Sequence, residues 1–214
     1  MGRIALLAVC ATFVGAGALH AENAFDIVFR SGTLDGLPEG TELHYDGEGL
    51  AEAQSDEEWQ EVVVGLGPDE QARVERRAVK GQEPGRIIGS FDAGVGNPLA
   101  MLFLERTVNE ISRETGGSPF YIRNRIRDTL GQPGEAEAVT VDWQGEDVPA
   151  TRVVLAPFVD DAHRANLGLY ADLTIEVVVS EEVPGWYYSI SAEAPAAGTE
   201  AAYATSLALA EVEP

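Results

Sequence analysis

Apolar and polar residues alternate with a period of two over much of this chain, a pattern that suits half-buried strands and little else. Phe25, Ile27 and Phe29 alternate with Asp26, Val28 and Arg30, and Leu43 and Tyr45 with His44 and Asp46, each run closing at a glycine-containing turn. Trp59–Leu66, Gln71–Val79 and Arg86–Phe91 are further strand candidates, separated by Gly67-Pro68-Asp69 and by the segment Gly81–Gly85. The longest alternation comes late, where Leu167, Leu169, Ala171, Leu173, Ile175, Val177 and Val179 fall on one face. Ser180–Gly185 then turns the chain into Trp186, Tyr188 and Ile190, which predicts a long hairpin. A second hairpin pairs Val139, Val141 and Trp143 with Ala150–Leu155 across Gln144-Gly145-Glu146-Asp147, and Tyr203–Val212 supplies a last strand. Connections this short make the neighbours antiparallel.

Two segments follow a helical period instead. Asn97-Pro98 offers an N-cap with proline at the first helical position, and Gly116 offers a left-handed stop. Between them Met101, Leu104, Val108 and Ile111 make an apolar stripe that Leu102 and Phe103 widen until the first turns are apolar nearly all round. A helix end of that kind must be covered. Ser118-Pro119 opens a second helix and Gly131 ends it, with Ile122, Ile126 and Leu130 on one face beneath Arg123 and Arg127. Residues 98–130 thus read as a helical hairpin hinged at Gly116-Gly117. The expected fold is α+β, mainly antiparallel β: a curved sheet or half-barrel with the helical hairpin packed in its concave face.

The N-terminus reads as an export signal, with Arg3, an uncharged run from Ile4 to Ala18 and small residues at its end. Cleavage follows Ala18 or Ala21, and the polar Glu22-Asn23 favours Ala21. The apolar span falls short of the roughly 20 residues that cross a bilayer, so a cleaved signal fits better than a retained anchor. Val9 before Cys10 does not suit lipidation of that cysteine. Residues 22–214 then form a single β-rich domain, periplasmic or secreted, with no membrane span after processing. Losing Cys10, the only cysteine, leaves no disulfide, so the core alone must hold the fold.

The net charge of −22 argues against a nucleic-acid partner. Residues 22–72, 73–127 and 128–214 carry −13, +4 and −14. The acidic flanks either solubilise the protein and pair with the central arginines, or frame a contact with an anion or headgroup.

The order of elements, the run Asn97-Pro98-Leu99-Ala100-Met101-Leu102-Phe103-Leu104, and the strand-turn-strand Ile175–Ile190 with Val183-Pro184-Gly185-Trp186 at its turn resemble the superfamily of bacterial periplasmic lipoprotein carriers and related exported proteins. That resemblance spans most of the mature chain. It implies a half-barrel closed by helices and an apolar or lipid ligand, such as an acyl chain, between the layers. Phe103, Trp143, Trp186 and Tyr188, with Trp59, are the large side chains expected to face the concavity, as core or as pocket lining. Arg123 and Arg127 share a helix face and either salt-bridge to acids or stand at a cavity mouth for an anionic headgroup. An alternative function is a non-enzymatic scaffold binding an envelope protein partner.

Other chemistries find little support. Only His44 and His163 survive processing; His44 and Asp46 share a strand face, which makes joint ligation geometrically feasible, but no metal site is assigned. Calcium loops, nucleophile elbows and glycine-rich phosphate loops are missing, so no catalytic residue and no cofactor is assigned. A carboxylate hydrolase would need two acids meeting in a cleft, and no pair is singled out. Intact-mass analysis of the exported protein should place its N-terminus at Glu22; retention of residues 1–21 would refute the signal reading.

Overall fold

A computed structural model describes residues 23–52, 55–82, 84–132, 135–196 and 202–214; the expected signal and its cleavage site lie outside them. The expected α+β architecture is what forms. Nine strands build one open antiparallel sheet, with a helical hairpin packed on its inner face. The first meander comprises β1 (Glu42–Glu52), β2 (Ser55–Gly67), β3 (Gln71–Arg77) and β4 (Arg86–Asp92). The second comprises β5 (Glu135–Trp143), β6 (Glu146–Leu155), β7 (Thr174–Val179) and β8 (Tyr187–Ala194). The last strand, β9 (Tyr203–Glu213), inserts between β1 and β8, so the order is β4-β3-β2-β1-β9-β8-β7-β6-β5.

Turn chemistry explains the local pairings. β5 and β6 pair down to Trp143↔Glu146, leaving a two-residue turn at Gln144-Gly145 with φ of 56° and 87°. Two successive positive values are what a tight hairpin with right-twisted strands requires, and the turn is two residues shorter than the Gln144–Asp147 connection expected.

The hairpin of α2 (Leu99–Thr115) and α3 (Pro119–Leu130) also forms as the punctuation predicts. Asn97 Oδ1 accepts from the Leu99 amide at 3.1 Å, and Gly116 ends α2 at φ 69°. Ile122, Ile126 and Leu130 are buried as one face of α3. On α2 the buried face is Leu99, Ala100, Phe103, Leu104, Thr107, Val108 and Ile111, while Met101 is 44% exposed and not part of the stripe. α2 packs on β8 and α3 on β6, so the hairpin seats on the second meander.

Two strand expectations fail for the same reason. Residues 24–28 form a short helix, α1 (Ala24–Val28), capped by the Asn23 side chain, which accepts from the Asp26 amide at 2.9 Å. Ala24, Ile27 and Val28, spaced i, i+3 and i+4, are its buried face, and so short a window satisfies either period. The stretch before β7 is not extended but coils as 3₁₀ turns at Arg164–Asn166 and Gly168–Asp172. Its buried residues are Leu167, Tyr170 and Leu173, the three-residue spacing of a 3₁₀ helix. Alternating apolar residues there concealed a period of three.

The turn into β8 corrects a further expectation. Trp186 adopts φ 80°, and a bulge between Val178 and Val179 pairs Val179 with Tyr187. Ile190 faces inward as expected, but Tyr187 joins it and Ala192 there, while Tyr188 is the bulged residue and is only half-buried. Trp186 Nε1 donates to the Ile27 carbonyl at 2.9 Å and the Tyr187 hydroxyl to that of Val28, pinning α1 against the turn.

Two polar knots join these layers. Asn97 donates through Nδ2 to Tyr45 Oη and to the Gly185 carbonyl, both at 2.9 Å, and its amide donates to Thr33 Oγ1 at 2.8 Å. Gly185 is required beside it: a Cβ there would lie 2.3 Å from Leu43 Cδ1, and its φ is 75°. Asp161, in the crossover between β6 and β7, accepts from the Tyr121 hydroxyl and the His163 amide and pairs with Arg125 Nε, each at 2.7 Å. Burial alone would raise the Asp161 carboxyl, but Tyr121, the His163 amide and Arg125 outweigh it and hold it below its ordinary value of 3.8.

Replacing Asn97 with alanine strands buried partners and should cost about 3 kcal/mol, against about 1 kcal/mol for Tyr45→Phe; urea midpoints should fall with unchanged m-values. Because the Asp161 pKa is lowered on folding, its stabilisation is present above pH 3.8 and fades as pH falls through the folded value. Asp161→Asn should thus lose about 2 kcal/mol at neutral pH and converge on the wild type as pH falls below the folded value, as denaturation across an acid pH series will show.

Candidate functional site

Because the helical hairpin seats on the second meander, the inner face of the first meander is only partly covered. Between that face and α2 lies a groove of about 390 Å³. Leu50, Trp59, Val62, Ile88 and Leu207 form its sheet wall, and Leu99, Leu102 and Phe103 its helix wall. The volume is at the small end of ligand pockets, with room for one short chain rather than several.

The polar groups of the groove cluster around one indole. On β3 the inward positions are Ala72, Val74 and Arg76, so a cation occupies a core-facing place and is only 5% exposed. Its guanidinium lies 4.4 Å from the centre of the Trp59 ring, where the π face offsets part of the cost of removing the charge from water. The Trp59 Nε1–H is itself buried and has no hydrogen-bond partner among the described residues, which marks it as a donor left for an acceptor. Arg106, on α2, reaches the Gly49 carbonyl at 3.1 Å and Thr205 Oγ1 at 3.4 Å along the same rim. The two acids lining the groove are engaged: Glu105 in a bidentate pair with Arg123 and Glu110 with Arg113.

Of the six residues nominated from the sequence, the groove takes in Phe103. Trp186 is buried beneath Arg30, whose guanidinium lies 4.5 Å from its ring, next to α1. Trp143 sits half-buried at the end of the outermost strand β5, and Tyr188 is the bulged, half-buried residue of β8. Arg123 and Arg127 lie on the exposed side of α3, Arg123 committed to Glu105 and Arg127 at 3.6 Å from Asp128. Arg76 was missed, yet its signal was present: it continues the inward alternation of Ala72 and Val74 where an aliphatic residue belongs.

A second apolar depression of about 420 Å³ lies on the other side of the first turn of α2, between Phe25, Phe29, Phe91, Val95, Met101 and Tyr187. Phe25, Val95 and Met101 are each more than 40% exposed there. On the outer face of the sheet, Glu42, His44 and Glu213 bring ligand atoms within 4.8 Å of one another, whereas Asp46, the acid grouped with His44 in the sequence, pairs with Lys80 at 2.7 Å. Among the described residues no helix is long and apolar enough to cross a membrane. The sequence matches no protein-family model, and a search of curated proteins finds no match.

Proposed function

We propose that the mature protein is an exported binder or carrier of a single-chain anionic amphiphile, with the acyl chain between α2 and the first meander and the headgroup at Arg76, Trp59 and Arg106. The observation that carries this reading is the juxtaposition, in one apolar groove, of a buried guanidinium and an indole whose N–H has no hydrogen-bond partner among the described residues. An aliphatic ligand alone would leave the Trp59 N–H unanswered. A carboxylate or phosphate accepts from the indole beside the Arg76 positive charge while its chain lies along Leu102, Ile88 and Leu50. The resemblance to periplasmic lipoprotein carriers points the same way, although the groove volume suits a smaller load than several chains.

The reading makes the three tryptophans separable reporters. Titration with dodecanoate should give a saturable change in tryptophan emission that Trp59→Phe abolishes and that Trp143→Phe and Trp186→Phe preserve. Arg76→Gln should weaken binding roughly tenfold or more, as loss of a charge-assisted contact does. Leu102→Glu, on the half-buried rim, should block it while the fold persists. If dodecanoate leaves Trp59 emission unchanged and organic extraction of protein from its own host yields no amphiphile, the proposal fails.

A further inference from the structure

On the outer face of the sheet, opposite the groove, β1 presents Glu42 and His44 beside the end of β9. The side chains that reach this point do so because of a bulge: His44 pairs with Glu211 and Tyr45 with Leu209, so Ala210 is an extra residue that reverses the alternation of β9. Leu207 and Leu209 remain inward, and Glu211 and Glu213 turn outward, with Glu213 directly opposite Glu42.

His44 is the informative member. Its side chain is 8% exposed, and Nδ1 lies 3.0 Å from Glu61 Oε1. Glu61 is 2% exposed and also accepts from Arg77 Nη1 at 3.2 Å and from the Gly81 amide at 3.0 Å. The Glu61 carboxylate accepts a hydrogen bond from Nδ1–H and so orients the ring. Nε2 is buried, makes no hydrogen bond among the described residues, and lies 3.4 Å from Glu42 Oε2.

We propose that Glu42, His44 and Glu213 form a divalent-metal site, best suited to Zn²⁺, with Glu61 as the carboxylate that orients the ligating histidine. With Nδ1–H committed to Glu61, a neutral ring turns its Nε2 lone pair toward the Glu42 carboxylate, a repulsion that a bound metal cation, or a proton on Nε2, relieves. Two ligands at about 2.0–2.1 Å from a tetrahedral zinc are about 3.3 Å apart, close to the separation of His44 Nε2 and Glu42 Oε2. Carboxylate–histidine–metal relays are the usual second-shell arrangement of such sites. Glu213 is exposed and within 4.8 Å, so a small side-chain rotation brings it into the shell, and water completes it. Arg77 Nη2, 3.8 Å from Glu42 Oε2, opposes the ion, and the negative charge of Glu61 balances it. The ion would clip the end of β9 to β1, the pairing that joins the two meanders.

The mature full-length protein, stripped with EDTA and titrated with Zn²⁺ by calorimetry, should bind one equivalent and melt at a higher temperature. Co²⁺ in its place should give the intense visible bands of a tetrahedral site. Glu213→Gln, at an exposed position that leaves the apo melting temperature unchanged, should weaken binding at least tenfold; Glu42→Gln should do the same, and Asp172→Asn, an exposed acid elsewhere, should not. His44 Nε2 should shift on metal addition in ¹⁵N NMR. Uptake that is weak, multi-site and indifferent to Glu42→Gln and Glu213→Gln, or a His44 ring that stays protonated on both nitrogens in excess Zn²⁺, would overturn the assignment.

Discussion

The pairing of β9 with β1 and β8 is the contact on which the rest of the molecule depends. Every other neighbour relation in the sheet joins strands consecutive in sequence, whereas Glu42↔Glu213 and its ladder span nearly the whole described chain. Without that insertion the two meanders would be separate four-stranded sheets tethered by a helical hairpin, each with an apolar face and two open edges. With it, their inner faces merge into one surface that the hairpin can cover. Such non-local closure is entropically costly and slow to form, so the sheet can be completed only once the last strand is available.

Continuity of the sheet does not by itself say where the helices sit. That is settled by polar anchoring. Asn97 binds the start of α2 simultaneously to β1 through Tyr45, to the β7–β8 turn through Gly185 and to the loop at Thr33, while Asp161 fixes α3 to the crossover beside β6. Buried polar groups of this kind contribute modest net energy but admit few alternative arrangements, since any shift leaves donors or acceptors unsatisfied. The hairpin is thus held over the second meander, and the groove beside Trp59 and Arg76 is the space this placement leaves.

β1 carries both candidate sites on opposite faces. Leu43 and Tyr45 point into the core that frames the groove, and Glu42 and His44 point to the outer network with Glu61 and Arg77. The bulge at Ala210 makes this division possible, because an unbroken alternation in β9 would have turned Glu211 and Glu213 toward the apolar side. In a chain of net charge −22, a cluster of acids on the outer face gains from any cation that joins it, whether Arg77, Lys80 or a metal ion.

Read alone, the sequence determined the class of the fold and most of its elements: the strands flanking residues 98–130, the ends of both helices and the places where the hairpins turn. Those features are local, written in period, capping residues and glycine positions. It misread residues 24–28 and 167–173, where short apolar runs satisfy two periods at once, and it scattered the nominated site over Trp143, Trp186, Tyr188, Arg123 and Arg127. Tertiary structure decided what depends on distant partners: the central place of β9, the bulges that reassigned Tyr187 and Glu211 to their faces, and the meeting of Arg76 with Trp59. One inserted residue reverses the facing of all that follow it, and where such an insertion falls is set by the opposing strand rather than by the residues themselves.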